Sequence, residues 1–419
     1  MSRDAPAAGT AGTRCICTAC PLLCDDISLS PAGADRACDL GRAAFAACAD
    51  ADLTRTQSPV GNAAVTQAAA LLVAARRVLV TGLRDATLEA TLAACDLAEE
   101  LAAAVDVGDP ELATATGPTT ARVGRVTAEW DELRDRADLV VFWNCDPRAT
   151  HPRFVERFVL PPLADGRRRH TIAVGAAAVL PPGPHDLHVP LPADLSVEAA
   201  RCLQLVLDGG RLADVVPPPL VAAATTIATA IRSASCVAFV TAAGGAVGLE
   251  GWSIARVVGG IAHSLPAFEL PLGGYPGAAA VCTWRYGAAG GIDRADPMGG
   301  RFLPGEASAT RLIERGEVDA VLAAGGLGHD VAAALAAVGP RLPVVRIAAS
   351  PAAPTAHERS IVLRCADPLL TAGRMLRGDG RCVSIVPPRS SPLPSLRDLL
   401  VLVHRAVSAA RLAAVGGRP

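Results

Sequence analysis

The stretch Ala137-Asp-Leu-Val-Val-Phe-Trp143 is an almost uninterrupted apolar run, and it ends in the polar loop Asn144-Cys-Asp-Pro-Arg-Ala-Thr-His-Pro-Arg153. A strand that is apolar at successive positions is typical of a parallel sheet covered on both faces. A helix-like segment follows the loop, and His170-Thr-Ile-Ala-Val-Gly175 is the next predicted strand. This alternation of strands and helices predicts an α/β fold.

The same order of elements occurs upstream. Arg77-Val-Leu-Val-Thr81 is a short apolar strand, Gly82 ends it, and residues 85–105 have the spacing of a long amphipathic helix. An alanine-rich helix is predicted before this strand, over residues 62–76. Strand, glycine turn and helix form the first half of a βαβ unit.

The second half of the chain repeats the plan. Strands are predicted at Ser235-Cys-Val-Ala-Phe-Val-Thr241, Val318-Asp-Ala-Val-Leu-Ala-Ala-Gly-Gly326 and Pro343-Val-Val-Arg-Ile347, with a helix over residues 252–264. We therefore predict two doubly wound αβα domains. Ligands of such sheets bind beyond the carboxyl ends of the strands. The predicted edges of a site are accordingly the loop 144–153 and the turns 241–245 and 325–329.

A cysteine motif lies near the start of the chain. Cys17-Thr-Ala-Cys20-Pro-Leu-Leu-Cys24 has the spacing C-x2-C-x3-C, and Cys38 follows within a short loop. Four thiolates this close together are what an iron–sulfur cluster or a structural zinc ion requires. Cys15 lies too early for this geometry, whereas Cys48 is an alternative fourth ligand. The other interpretation is a group of small buried thiols without a metal.

The composition excludes several classes of function. Aromatic residues make up only 3% of the 419 residues, which argues against a nucleic-acid platform that stacks bases. The net charge is −2, and the sequence contains no lysine. Schiff-base lysine chemistry and a P-loop lysine are therefore excluded. Arginine is the only permanently charged cation left for phosphate or carboxylate recognition.

Cysteine usage and hydropathy predict a soluble, cytoplasmic protein. The cysteines after Cys48 are scattered, as expected of buried reduced thiols rather than of a disulfide scaffold. Residues 1–13 lack the basic-then-apolar order of a signal peptide. Every long apolar stretch is interrupted by a charge or a proline, so no membrane span is predicted.

The domain boundaries follow from these patterns. Residues 208–219 contain Gly209-Gly210 and Pro217-Pro218-Pro219, which are typical of a linker. We predict a disordered leader at 1–13, a cysteine-cluster domain at 14–50, α/β domains at 51–215 and 216–372, and a C-terminal segment at 373–419 that packs back on the α/β core.

Several of these motifs together resemble the B subunit of formylmethanofuran dehydrogenase. The cysteine run extended to Asp25-Asp26-Ile27 is similar to the start of that subunit. Further segments match in the same order over nearly the whole chain: Leu97–Leu101 leading to Asp106, Asp138–Pro147 with His151-Pro-Arg153, Val281–Trp284 with Gly287, and Thr371–Met375.

The resemblance implies a fold and a set of cofactors. The family is similar to molybdopterin enzymes of the formate dehydrogenase type, which have a cluster domain and two αβα domains. It implies that Cys17, Cys20, Cys24 and Cys38 hold a [4Fe–4S] cluster, with zinc or an empty site as the alternatives. It also implies a cleft for the nucleotide of a molybdenum or tungsten bis-pterin guanine dinucleotide, with the cleft residues Asn144, Asp146, Arg148 and His151.

The sequence departs from the redox members of the family at two positions. Their metal-binding Cys-His-Gly-Pro motif is here Ala115-Thr116-Gly117-Pro118, and no cysteine lies within ten residues of Ala115. Their arginine- and threonine-rich turn is here Gly175-Ala-Ala-Ala-Val-Leu-Pro-Pro182. A methyl group cannot bind molybdenum or tungsten, so we expect the bis-pterin cofactor to be absent and assign no catalytic residue. Arginines at other loops are the remaining candidates for phosphate binding: Arg148, Arg153, Arg285 and Arg374.

These departures fit the bacterial branch of the family. Its formyltransferase/hydrolase complex has A, B, C and D subunits and acts in tetrahydromethanopterin-linked oxidation of formaldehyde to formate, through a methanofuran-type carrier. We therefore expect a non-redox scaffold of the B type, with the A, C and D subunits as partners and neither nucleic acid nor membrane. The alternative is an active formylmethanofuran dehydrogenase subunit whose metal has another protein ligand or none.

Overall fold

The computed structural model describes residues 13–31, 33–53, 62–107, 123–175, 186–242, 249–294, 300–303, 305–349 and 360–416. The chain divides into two compact units. Unit 1 comprises residues up to 108, residues 280–377 and residues from 382 onward, and unit 2 comprises residues 109–279 and 378–381. Each unit contains a mainly parallel sheet flanked by helices, so the predicted α/β class is confirmed.

Unit 1 begins with a small antiparallel sheet. Its strands are β1 (Thr13–Cys15), β2 (Ile27–Ser30) and β3 (Gly33–Asp35), and helix α1 (Asp39–Leu53) follows them. The predicted leader reaches into β1, because Thr13 pairs with Leu29, and residues 1–12 lie outside the described residues. The main sheet then begins with α2 (Asn62–Ala74), β4 (Val78–Gly82), α3 (Leu88–Leu101) and β5 (Ala104–Asp106).

Helix α3 is shorter than the helix predicted over residues 85–105. The side chain of Thr87 accepts a hydrogen bond from the amide of Ala90 and thereby caps the first turn. Ala102 ends the helix in the left-handed region, at φ +49°. The chain therefore turns early enough for β5 to form. The start of β5 lies within the predicted helix, so the sequence analysis did not predict this strand.

Unit 2 contains a five-stranded parallel sheet in the order β10-β9-β6-β7-β8. Its elements in chain order are α4 (Trp130–Arg136), β6 (Leu139–Trp143), α5 (Pro147–Thr150), a π-helical turn (Val155–Val159), β7 (His170–Gly175), β8 (Asp186–Pro190), α6 (Ser196–Leu207), α7 (Pro218–Ser233), β9 (Val237–Ala242), α8 (Leu249–Ala262) and β10 (Ala267–Leu272).

The seven-stranded sheet of unit 1 is completed late in the chain, and its order is β12-β11-β5-β4-β13-β14-β15. The remaining elements are α9 (Gly277–Tyr286), β11 (Ile292–Asp293), β12 (Arg301–Phe302), α10 (Ala309–Glu314), β13 (Ala320–Ala324), α11 (His329–Val338), β14 (Val344–Ala348), β15 (Ser360–Arg364), β16 (Gly373–Leu376), β17 (Cys382–Ile385) and α12 (Leu396–Gly416). Helix α12 packs against α2 and α3.

The units do not follow the predicted boundaries at 215 and 372. Strand β6 pairs with β7 on one side and with β9 on the other, so one sheet contains strands from both predicted domains. Likewise β4 pairs with β13. The sequence pattern identifies each apolar strand, whereas the pairing of distant strands depends on packing in three dimensions.

The predicted linker at 208–219 is in part a helix. Pro218 and Pro219 occupy the first turn of α7, where proline fits because the first amides of a helix have no intrahelical acceptor. Leu220, Ile227 and Ile231 of this helix are buried in the core of unit 2. Within the described part of the chain, no helix is long and apolar enough to span a lipid bilayer.

Asp106 fixes the end of β5 in unit 1. Its side chain is 4% exposed, and its two oxygens accept hydrogen bonds from the amides of Gly291 (3.0 Å) and Ala309 (2.8 Å). Asp106 thus connects β5 to the residue before β11 and to the first residue of α10.

We predict that Asp106→Ala lowers the free energy of unfolding of unit 1 by about 2–5 kcal/mol, because two buried amides lose their acceptor. Chemical denaturation measures this change. The control is Asp330→Ala, which removes an exposed carboxylate of α11 and should change stability by less than about 1 kcal/mol. Equal stabilities of the two variants would contradict the assigned role of Asp106.

Candidate functional site

The cysteine motif lies in the loop between β1 and β2. The loop folds back on itself, since the amide of Cys17 donates to the carbonyl of Cys24 (2.9 Å) and the amide of Leu23 donates to that of Cys20 (3.2 Å). Leu23 has a positive φ of +44°, which makes the tight turn. The three cysteines of the motif are thereby held on a single compact turn.

Cys38 joins this loop from the start of helix α1. A Cβ atom placed on Gly41 would lie 3.2 Å from the sulfur of Cys17 and 3.9 Å from the sulfur of Cys38. Glycine therefore permits the first turn of α1 to lie directly against the motif. Cys48, the predicted alternative ligand, lies further along α1 and is buried.

Burial determines the protonation of these thiols. Cys17, Cys20 and Cys24 are 5–7% exposed. Burial, together with the smaller effect of the neighbouring thiols, raises the pKa of Cys17 to about 11 and that of Cys20 to about 12. At neutral pH both thiols are protonated, so a metal ion would have to displace these protons.

The four thiols fit a metal in their chemistry, since soft sulfur donors suit an iron–sulfur cluster or zinc. Their arrangement is not that of a preformed site: among the described residues, no group of three or more His, Cys, Asp or Glu side chains is placed to hold a metal ion. The assignment of Cys17, Cys20, Cys24 and Cys38 as ligands therefore stays a prediction.

The predicted cleft residues follow strand β6, but the structure does not bring them together. Asn144 lies at the carboxyl edge of the sheet, where its side-chain nitrogen donates to Ser196 Oγ (3.0 Å) and to Glu250 Oε1 (2.8 Å). The indole nitrogen of Trp143 donates to the same two oxygens, at 2.7 and 3.1 Å. Ser196 and Glu250 begin α6 and α8, respectively.

Asp146 and Arg148 form an exposed pair with each other. The guanidinium of Arg148 donates to both carboxylate oxygens of Asp146, at 2.8 and 2.9 Å. Asp146 also accepts from the amide of Arg148 and so caps α5. The hydrogen bonds from the Arg148 side chain lower the pKa of Asp146. The arginine predicted to contact a nucleotide is therefore already bound to a carboxylate.

His151 packs into an aromatic cluster instead of facing a crevice. Its ring is 1% exposed and lies edge-on to Trp130, with the ring centres 5.8 Å apart, and Phe154 and Phe158 contact the same tryptophan. Its Nδ1 atom contacts the hydroxyl of Thr150 at 2.8 Å. Burial lowers the pKa of His151 to about 4, so the ring is neutral at physiological pH.

The other arginines that are candidates for phosphate binding also have carboxylate partners. Arg285 contacts Glu99 and Asp96, at 2.7 and 2.9 Å. Arg374 contacts Glu89 at 2.7 Å. Arg153 contacts Glu156 at 2.7 Å. Ala115 and the turn from 176 to 182 lie outside the described residues.

Unit 1 has a cavity of about 260 Å³ at the carboxyl edge of its sheet, next to the predicted turn 325–329. Asp85, Gly326, Arg346 and Cys365 line it. Arg346 is 9% exposed and donates to the carbonyl of Ala323 at 3.0 Å, whereas its Nε atom has no hydrogen-bond partner among the described residues. Burial lowers the pKa of Arg346 and raises that of Cys365 to about 12. Asp85 accepts from the amide of Gly326 at 2.6 Å.

The sequence interpretation missed Arg346, Glu250 and Ser196. Arg346 lies inside the predicted strand 343–347. An arginine in such an apolar run is the one feature of the sequence that could have indicated a buried cation. Glu250 and Ser196 have no such signal, because they reach the end of β6 only through the pairing of β6 with β9 and the packing of α6 against α8.

The fold matches that of a chain in a known enzyme complex. The chain is similar to a chain of the crystal structure of the formyltransferase/hydrolase complex from Methylorubrum extorquens in complex with methylofuran, with a TM-score of 0.70 and 19% sequence identity. The match covers 85% of this chain and 98% of that chain. It confirms the predicted fold.

A curated relative agrees with the resemblance predicted from the motifs. The chain is 30% identical over 175 residues to the B subunit of the tungsten-containing formylmethanofuran dehydrogenase 2 of Methanococcus maripaludis. The aligned part is 37% of this chain and about two-fifths (39%) of the relative. No family model matches the chain. The predicted similarity to the B subunit of formylmethanofuran dehydrogenase is thus confirmed.

The neutral, buried His151 makes the stability of unit 2 depend on pH. Its pKa in the folded chain, about 4, is below the value of about 6.5 in an unfolded chain, so the unfolded state binds more protons between these values. The contribution of the neutral His151 to the free energy of unfolding is complete above pH ~6.5. It decreases by about 3 kcal/mol in total as the pH falls toward ~4.

We predict that His151→Phe removes this part of the pH dependence, because phenylalanine fills the aromatic cluster and does not titrate. Thermal unfolding of the wild type and of the variant at a series of pH values measures the difference. His263→Gln, an exposed position of unit 2, is the matched control and should retain the wild-type profile. An unchanged pH profile in His151→Phe would refute the assignment.

Proposed function

We propose that this chain is the B subunit of a formyltransferase/hydrolase complex that acts in tetrahydromethanopterin-linked oxidation of formaldehyde to formate. The observation that supports this most is the fold match, which spans nearly all of the neighbouring chain. The sequence similarity to the B subunit of a formylmethanofuran dehydrogenase also supports assignment as a B subunit. In this proposal the chain is a scaffold and not the site of a redox reaction.

The loss of redox chemistry is inferred from residue identity. Position 115 is alanine where the redox members of the family have the metal-binding cysteine, and the surrounding residues contain no cysteine to replace it. The turn 175–182 offers no arginine to a dinucleotide. The buried His151 supports the same conclusion, since its side chain packs among aromatic rings, and Arg148 is paired with Asp146.

The cysteine motif has a structural role in this proposal. Cys17, Cys20, Cys24 and Cys38 would hold a [4Fe–4S] cluster or a zinc ion, which would connect the β1–β2 loop covalently to the start of α1. A bound metal supplies thiolate coordination energy that stabilises a small domain. Gly41 contributes by leaving space for the two sulfurs beside it.

The partners in this proposal are the A, C and D subunits. By resemblance, formyl transfer takes place on the D subunit and metal-dependent hydrolysis on the A subunit, so the B subunit is needed for assembly. A cytoplasmic location stays a prediction.

A second candidate is the B subunit of an active formylmethanofuran dehydrogenase with a [4Fe–4S] cluster and a molybdenum or tungsten bis-pterin cofactor. The complete four-cysteine motif favours it, because an electron path needs such a cluster. The name of the curated relative, which is tungsten-containing, favours it as well. The identity of residue 115 argues against it.

The two candidates differ in elemental content. We predict that the complex purified with this chain contains iron or zinc bound to the cysteine motif, but only substoichiometric molybdenum and tungsten. Inductively coupled plasma mass spectrometry measures all four elements, and a viologen-linked assay measures oxidation of formate or formylmethanofuran. Stoichiometric molybdenum or tungsten together with viologen reduction would overturn the scaffold proposal.

A further inference from the structure

The crevice of unit 2 lies at the carboxyl ends of two neighbouring strands, β6 and β9. The strand that follows each of them in the chain lies toward the opposite edge of the sheet. Strand β6 is followed by β7 on one side, and β9 is followed by β10 on the other, while β6 and β9 are adjacent. In open α/β sheets, ligands bind beyond the carboxyl ends of the strands at such a point. The resemblance described above places part of a dinucleotide in such a crevice.

The described residues at this position do not fit an anionic ligand. Oε1 of Glu250 accepts hydrogen bonds from Trp143 Nε1 (3.1 Å), Asn144 Nδ2 (2.8 Å) and Ser196 Oγ. Three donors that could have bound a phosphate oxygen therefore already share one carboxylate oxygen. Glu250 also lies in the first turn of α8, where a negative charge interacts favourably with the helix dipole.

The backbone supports this arrangement. Asn144 has a φ of +46°, in the left-handed region. Gly175, at the end of β7, has a φ of +142°, and a Cβ atom there would lie 2.7 Å from Asn144 Oδ1. A side chain at 175 would displace Asn144, so glycine permits Asn144 to lie across the strand ends and reach Glu250.

The equivalent position in unit 1 borders a cavity that both an arginine and a carboxylate line, Arg346 and Asp85. The adjacent strands β4 and β13 of unit 1 are likewise followed by strands on opposite sides, and their carboxyl edge borders the cavity of about 260 Å³. A buried arginine, Arg346, reaches that cavity. The two crevices thus have equivalent places in their sheets but differ in their ionic groups, which are Arg346 and Asp85 in unit 1 and Glu250 in unit 2.

We propose that the Glu250 carboxylate is a built-in anion that occupies the ligand position of the unit 2 crevice and closes it to phosphate-bearing ligands. This inference concerns unit 2 alone and does not depend on the proposed function of the complex. It explains why Asn144, Ser196 and Trp143 all donate to one oxygen, Glu250 Oε1, at a position where other α/β sheets bind a ligand.

Tryptophan labelled with fluorine gives a local test. Trp130, Trp143 and Trp252 lie in unit 2, whereas Trp284 lies in unit 1. In ¹⁹F NMR of the full chain, the Trp143 resonance is assigned with Trp143→Phe and reports on the crevice, because its indole nitrogen contacts Glu250. The Trp284 resonance, from an exposed side chain of unit 1 that does not line the cavity, is the reference for non-specific effects of the added salt. The probe is inorganic pyrophosphate.

For the wild type, we expect pyrophosphate to leave the Trp143 resonance unshifted. Glu250→Ala should unfold at a lower temperature and should gain a Trp143 shift and a rise in Tm on addition of pyrophosphate, with an affinity at least about tenfold above that of the wild type. Glu250→Gln keeps the size of the side chain and one acceptor oxygen, so its crevice should stay closed. Glu198→Ala, an exposed acidic residue in the first turn of α6, is the control and should behave as the wild type.

Two results would overturn the proposal. A saturable Trp143 shift in the wild type would mean that the crevice is an open ligand site. Absence of any pyrophosphate response in Glu250→Ala would mean that the carboxylate does not occupy a ligand position. If Glu250→Ala does not fold, Glu250→Asp replaces it, because aspartate withdraws the carboxylate by one methylene group. We expect Glu250→Asp to respond to pyrophosphate, but more weakly than Glu250→Ala would.

Discussion

The pairing of β6 with β9 is the interaction on which unit 2 depends. Leu139 lies opposite Val237 and Trp143 opposite Thr241, and all four side chains are buried. Strands that are buried on both faces obtain most of their stability from apolar contacts, and their polar atoms are satisfied by the sheet itself. Because the strands are parallel, their carboxyl ends lie at the same edge of the sheet, where Asn144 reaches Glu250. The pairing of β4 with β13 has the same consequence in unit 1.

The two crevices differ in their ionic groups. In unit 1, Arg346 brings a buried cation to a cavity, and Asp85, which also lines it, is held by the amide of Gly326. In unit 2, Glu250 brings an anion to three neutral donors. In the proposed function, the alanine at position 115 and the Glu250 carboxylate belong to a subunit that has the fold without the redox chemistry.

Much of the fold could be predicted from local sequence. Strand 170–175 has the predicted bounds, and β6 differs from its predicted bounds only by starting at Leu139. The helix predicted at 85–105 is too long because Ala102 ends it in the left-handed conformation. An alanine in the sequence does not indicate such a conformation. The proline run at 217–219 is typical of a linker, but proline occurs both in linkers and in first helical turns.

The site was less predictable than the fold. The spacing of the N-terminal motif predicts its four cysteines as metal ligands, and this assignment stays a prediction. Asn144 is identified because it follows a strand, whereas its partner Glu250 depends on the order of strands in the sheet. The polar loop around His151 predicts a place in the cleft, but burial among aromatic rings determines its chemistry. Local spacing does not contain this tertiary information.

Native mass spectrometry of the complex purified through a tag on this chain is the most direct test of the scaffold assignment. We expect an assembly that contains this chain with the A, C and D subunits, in which the released chain has the mass of its polypeptide plus at most the metal of the cysteine motif. A released chain whose mass includes a bound pterin dinucleotide, or a chain that purifies without those subunits, would contradict it.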